Sequence, residues 1–150
     1  MIIHVTGDLL GSDCAVIAHG CNCFHIAGAG IAAQIRAKYP EAYLADLKTK
    51  KGDSNKLGEI CAAYTRADGD CIMVVNCFTQ FRPGREANLA AIKSSLEKMR
   101  EHVLDEFKYF PKVGIPRIGC GIGGLLWQDV GPVVEDVFSD HDIYVYTLQP

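Results

Sequence analysis

Two stretches of this chain combine glycine with residues able to hold an anion or move a proton. The first is His19-Gly20-Cys21-Asn22-Cys23-Phe24-His25-Ile26-Ala27-Gly28-Ala29-Gly30-Ile31. An apolar run ends there, a polar segment follows, and Gly28-Ala29-Gly30 opens a helical pattern. Small residues let a backbone approach a ligand closely, and a helix N-terminus presents free N–H groups. The stretch lacks the Gly-Lys-Ser/Thr of a Walker A loop and the glycine spacing of the dinucleotide fingerprint. A tight turn with close helix–sheet packing accounts for the same string without a ligand. The second stretch, Pro116-Arg117-Ile118-Gly119-Cys120-Gly121-Ile122-Gly123-Gly124-Leu125-Leu126-Trp127, places four glycines in six residues. Plain surface loops favour Asn, Asp and Ser. Here Ile122, Leu125 and Leu126 accompany the glycines, which suits amides turned to a phosphate above packed side chains. A mobile linker is the alternative. In Thr6-Gly7-Asp8-Leu9-Leu10, Asp8 can accept a hydrogen bond from an amino group such as that of adenine, or cap a turn. Two anion cradles plus an acidic residue suggest a diphosphate-bearing nucleotide.

Proton transfer would fall to His19 or His25, since histidine titrates near neutral pH. His19 directly follows an apolar run, where a satisfied structural histidine fits equally well. Cys120 lies among amides that would lower a thiol pKa. Asn22 suits orienting a water or a ribose hydroxyl. The alternation His19-x-Cys21-x-Cys23-x-His25 invites a zinc reading. On an extended strand, successive same-face side chains lie about 6.6 Å apart and the set spans about 20 Å. One tetrahedral ion with bonds of about 2.0–2.3 Å cannot gather them. No metal and no cofactor are expected. Gln80, Arg82 and Arg85 are positioned to meet a terminal phosphate at a pocket rim, or form a solvated loop.

The elements that must position these residues alternate. Short apolar or β-branched runs at 2–5, 14–18, 59–65, 71–78, 112–116 and 143–148 read as strands. Ala67-Asp68-Gly69-Asp70 marks a tight turn between the third and fourth. Helical spacing runs through Ile31, Ile35 and Tyr39, is broken at Pro40, and resumes over 41–47. It returns through Leu89, Ile92, Leu96, Met99 and Val103, and through Val130, Val133, Val134 and Val137. Such alternation predicts a three-layer α/β domain with a mixed, mostly parallel sheet, whose ligand lies outside the carboxyl ends of the strands.

The length of 150 residues suits one domain, and 49% hydrophobic with 22% charged residues suits a packed core. With 15 Lys+Arg against 18 Asp+Glu, the chain lacks the basic excess of a phosphate-tracking nucleic-acid binder. An RNA or nucleotide-loop binder is therefore disfavoured. Seven cysteines, an odd number mostly within apolar runs, read as reduced thiols and a cytoplasmic setting. No apolar run reaches the roughly 20 residues of a membrane span, and the N-terminal residues read as a strand rather than a signal peptide.

Together, residues 6–10, 19–31 and 116–127 resemble the macrodomain family of ADP-ribose-binding modules. The similarity is to the branch holding yeast- and phage-type ADP-ribose-1″-phosphate phosphatases and terminal ADP-ribose protein glycohydrolases, and runs through residues 142–148. It implies a single α/β/α macrodomain over residues 1–150. Asp8 would lie near the adenine amino group, with Leu9 its backbone neighbour, and Tyr146 and Leu148 would line the adenine pocket. Gly28, Ala29, Gly30 and Ile31 match the first phosphate loop. Gly119, Cys120, Gly121, Ile122 and Gly123 match the second. Asn22 matches a contact to the distal ribose, and His19 a histidine of the yeast-type phosphatases. The glycohydrolase lysine and aspartate fall on Cys77 and Gly123, so that pair is missing, and Leu126 stands where phage-type relatives carry Asp. The resemblance thus implies metal-independent hydrolysis of ADP-ribose 1″-phosphate, with Asn22 and His19 as catalytic candidates. The alternatives are a non-catalytic reader of free or protein-linked ADP-ribose, or a protein mono-ADP-ribosyl hydrolase without the usual pair. ADP-ribose, its 1″-phosphate and ADP-ribosylated protein are the expected partners; neither a membrane nor direct nucleic-acid binding is expected.

Overall fold

A computed structural model describes residues 1–67 and 69–148. Six strands form one sheet: β1 (Ile2–Thr6), β2 (Val16–Cys21), β3 (Ile60–Ala67), β4 (Asp70–Phe78), β5 (Val113–Ile115) and β6 (Ile143–Thr147). Their spatial order is β1-β6-β5-β2-β4-β3. All neighbours pair in parallel except β3, which lies antiparallel to β4. Of the turn expected between those two strands, Asp68 lies outside the described residues. The mixed, mostly parallel sheet of the sequence reading is the sheet observed.

Four helices cover it: α1 (Gly30–Lys38), α2 (Pro40–Leu47), α3 (Leu89–Phe107) and α4 (Trp127–Val137). Pro40 ends one helix and starts the next because its ring suits the first helical position and no interior one. Asn88 caps α3 by accepting from Ala91 N at 3.0 Å. Lys108 closes that helix in the left-handed region, its N–H on Leu104 O.

The helices divide between the two faces. Ile92, Leu96, Met99 and Val103 of α3 and Val130 and Val134 of α4 pack with Val16, Ala18, Met73 and Val75. Ile35, Tyr39 and Ala42 of α1 and α2 pack with Ile17 and Val74 on the other face. Covered on both sides, β4 is buried continuously from Met73 to Phe78, as parallel sheets require. Leu89 departs from its expected core stripe; it is exposed at the first position of α3. No helix among the described residues is long and apolar enough to cross a membrane.

Parallel pairing has one consequence for a site. β1, β6, β5, β2 and β4 all end on the same edge. Asp8, Leu148, the 116–124 loop, the 22–29 loop and Thr79-Gln80 therefore emerge side by side.

Candidate functional site

A cleft of about 380 Å³ opens at this edge. Its walls are residues 20–22 and 26 at and beyond the end of β2, 28–32 around the start of α1, 79–80 and 83–84 after β4, and 116–119 with 121–123 after β5. Gly20 shapes the floor: a β-carbon there would sit 2.6 Å from Thr79 Oγ1.

The first glycine segment feeds α1. Ala29 is extended and has no side-chain cap, and Gly30 takes φ +60, where glycine is the unstrained choice. No acceptor among the described residues takes the amides of Gly30, Ile31 and Ala32. The first turn has no acidic side chain, whereas Arg36 and Lys38 occupy the last, so the N-terminal end stays electropositive. Asn22 organises the approach: its Oδ1 accepts from Phe24 N at 2.9 Å, and its Nδ2 donates to Ile26 O at 2.8 Å. One Nδ2 hydrogen remains for another acceptor.

The second segment is a coil of tight turns. Cys120 N reaches Arg117 O at 3.0 Å, and Leu125 N reaches Gly119 O at 2.9 Å. The amides of Gly121, Ile122 and Gly123 meet no acceptor among the described residues. Ile122 leans across the cleft, its Cδ1 lying 3.2 Å from where a β-carbon on Gly30 would be. Two sets of free N–H groups thus line one cavity, an arrangement that binds anionic oxygens without opposing charge. Arg117 is the one cation among the lining residues, its guanidinium 5.6 Å from the Trp127 ring centroid. No carboxylate lines the cleft.

Other expected site residues lie elsewhere. Asp8 caps a 3₁₀ turn, accepting from Leu10 N at 3.1 Å, with Leu9 buried behind it. Tyr146 is buried with its hydroxyl 3.6 Å from Cys14 Sγ, and Leu148 is exposed beyond β6. Gly7 N donates to Thr147 O at 2.8 Å, so these four residues gather at the ends of β1 and β6. They share the sheet edge with the cleft without lining it.

His19 is not brought to the cleft. It is buried, its Nε2 2.7 Å from Asn76 Oδ1, and Asn76 Nδ2 donates in turn to Ala42 O of α2 at 2.9 Å. Burial pushes the imidazole pKa down to about 4, the Asn76 contact opposing only in part. His25 also lies outside the lining, with Nε2 3.3 Å from Thr49 Oγ1. The expectation of a lowered Cys120 pKa is corrected: burial raises it, against the weaker opposite pull of Arg117. The Cys120 thiol donates back to Ile118 O at 3.6 Å instead of facing the cleft. Cys77 is likewise no cleft position; it is fully buried, and burial pushes its thiol up to about 12. Beyond Cys77, the residues after β4 that reach the cleft are Thr79, Gln80, Pro83 and Gly84. Gly123 lines the cleft with no room for a side chain, since a β-carbon there would lie 2.7 Å from Ala87 Cβ and 2.8 Å from Gly119 O. Among the described residues, no three His, Cys, Asp or Glu side chains are grouped to hold a metal ion.

Sequence reasoning missed Gly20, Thr79 and Arg117. Thr79 carried a usable signal, as a small polar residue directly after a continuous apolar run.

This fold, with two amide-lined loops at the carboxyl edge of a mixed sheet, defines an α/β anion-binding domain. The Macro domain family matches residues 18–134, and the chain belongs to that family. An uncharacterised 17.5 kDa protein of Enterobacteria phage T4 is 30% identical over the whole chain and 98% of its own length. The DNA ADP-ribosyl glycohydrolase of Mycobacterium tuberculosis is 30% identical over 97% of this chain, which spans 42% of that protein. The ADP-ribose 1″-phosphate phosphatase of Scheffersomyces stipitis is 27% identical over 97% of this chain and 99% of its own. Among solved structures, the macrodomain of Mycobacterium tuberculosis DarG superposes with a TM-score of 0.79 at 27% identity, over 97% of each chain.

Proposed function

We propose that the cleft binds ADP-ribose through its diphosphate and that the protein hydrolyses ADP-ribose 1″-phosphate to ADP-ribose and inorganic phosphate. The observation that carries this reading is the pair of unsatisfied amide sets, at 30–32 and 121–123, on residues that line one cavity. Asp8, Leu9, Tyr146 and Leu148, gathered at the β1–β6 end, supply the adenosine side. Phosphoryl transfer proceeds through a loose transition state whose charge spreads over the equatorial oxygens, so positioning and N–H donors supply most of the catalysis. A water attacks phosphorus, the bond from phosphorus to O1″ breaks, and a proton from the water ends on O1″. In this reading Asn22 orients the reacting end, while His19, uncharged and bound to Asn76, holds β2 in place rather than moving the proton. The lack of a lysine or carboxylate in the cleft for a glycohydrolase route supports this choice, and a phosphatase stands among the relatives matched over nearly both full chains.

A reader of free or protein-linked ADP-ribose is the second reading. It is favoured by one observation: no histidine or carboxylate lines the cleft. A ³¹P NMR time course of ADP-ribose 1″-phosphate with EDTA-treated protein separates the two. Protein-dependent growth of inorganic phosphate is the expected result. Diphosphate resonances that shift without phosphate release would leave the reader.

A further inference from the structure

Gln80 stands directly after Thr79 at the carboxyl end of β4, at the far end of the sheet edge from Asp8 and Leu148. Four strand spacings separate β1 from β4, about 19 Å. The Gln80 amide nitrogen donates to Arg82 O at 2.7 Å and to Gly84 O at 2.9 Å. Those are the only two hydrogens a carboxamide has. The pairing fixes which end is which, because the flipped amide would set its oxygen against two carbonyl oxygens. A bridge between Gln80 and Ala87 closes the same loop, and Phe81 packs edge-on against Phe24, their ring centroids 5.0 Å apart.

The Gln80 oxygen is therefore held in one direction. It meets no donor among the described residues. It lies 3.2 Å from where a β-carbon on Gly123 would be, beside the free amides of the second loop. Gln80 lines the cleft, and position 123 has no side chain to cover this oxygen.

We propose that Gln80 Oε1 is the specificity-determining acceptor of the cleft, taking a hydrogen bond from a hydroxyl of the sugar beyond the diphosphate. The proposal rests on the ADP-ribose reading above. The free amides attract anionic oxygens; an amide oxygen repels them and accepts only from donors. The two kinds of group sort a bound ligand along the cleft, diphosphate against the loops and hydroxylated sugar against Gln80. The protein then distinguishes ADP-ribose from ADP by a donor that ADP lacks at that place. A buried or fixed polar group left unpaired is what makes such discrimination strong.

Two substitutions divide the side chain's functions. Gln80→Lys keeps donors for Arg82 O and Gly84 O and deletes the acceptor, since an ammonium has none. Gln80→Met deletes both at similar length. Isothermal titration of the parent and both variants with ADP-ribose and with ADP gives a ratio of affinities. ADP carries one more negative charge on its terminal phosphate, which the Gln80→Lys ammonium favours, so the uncharged Gln80→Met carries the comparison of ratios and Gln80→Lys the comparison of loop closure. The parent is expected to prefer ADP-ribose, and Gln80→Met to lose about tenfold of that preference. Thermal melting should be unchanged in Gln80→Lys and lowered in Gln80→Met, which loses the loop closure. An unchanged ratio in Gln80→Met overturns the proposal while leaving ADP-ribose binding intact. A parent that binds neither nucleotide overturns the underlying reading, and this proposal with it.

Discussion

On the cleft side of the β2 carboxyl end, Gly20, Gly119, Gly121 and Gly123 present main chain. On the α2 side, His19, Asn76 and Cys61 pair across three strands, with Asn76 Nδ2 3.3 Å from Cys61 Sγ. The histidine thus lies in the second region, buried and satisfied with Asn76, while the first is rich in glycine and offers no histidine or carboxylate. Reactive residue types are poor guides when the ligand is an anion that amides can hold. A buried imidazole that finds a neutral partner stays neutral, and its contribution is to packing.

The largest expected effect tests the idea that the cleft wall is also core. Gly119 has φ +78, and a β-carbon on it would lie 2.6 Å from Ile92 Cδ1. Gly119→Ala should cost about 3 kcal/mol in urea unfolding, combining overpacking with left-handed strain. A loss below about 1 kcal/mol would show that the second loop yields freely, and the contrast between the regions would weaken.

Acid titration probes the other region. His19 refuses a proton until about pH 4, whereas its unfolded value is 6.5. The unfolded chain therefore binds the extra proton across that window, and stability falls as pH drops from 6.5 toward 4. The loss approaches about 3 kcal/mol, with the full contribution present above pH 6.5. His19→Gln should flatten that slope in pH-dependent denaturation. An equal slope in parent and variant would mean that His19 exchanges protons freely with solvent.

Gly121 separates ligand approach from packing, because a β-carbon there meets nothing within 4 Å. Gly121→Ala should leave the unfolding midpoint unchanged and weaken ADP-ribose binding about tenfold, which is about 1.4 kcal/mol. Intact affinity would remove the second loop from the ligand's path. The smallest effect is reserved for Cys120. It is half-buried at the edge of the core with its thiol on Ile118 O, a bond a serine hydroxyl can also make, so Cys120→Ser should change stability by less than about 1 kcal/mol and phosphate release by less than about twofold. Abolished release would restore the thiol as a nucleophile.

Much of the fold was legible because strands and helices alternate with clear periods. The second strand was read at 14–18 and is found at Val16–Cys21. Its polar end is strand only because His19, Gly20 and Cys21 pair with Asn76, Cys77 and Phe78, a partnership some 57 residues away that no local period encodes. In that strand His19 and Gly20 face opposite ways, and packing by α2 decides which of them faces the cleft. The two glycine loops were legible as cleft walls with free amides, since glycine beside apolar residues is costly in an ordinary surface loop. Gln80 was visible as a rim residue, but its fixed amide depends on carbonyls presented by a loop shape that composition does not specify. The placement of the missing lysine at Cys77 failed for a related reason: the buried length of β4 sets where the cleft begins.

The edge strand β1 has a single partner, β6, although most of the chain separates them. During synthesis β1 emerges first and waits, unpaired, until the sixth strand has cleared the ribosome. Closing so long a loop is an entropic cost paid late in folding. On the proposed reading the adenosine side of the site is built from those two strands, so the whole ligand is held only once they pair. Its capture is then a property of the finished domain, and each bound molecule adds its stabilisation to the whole cooperative unit at once.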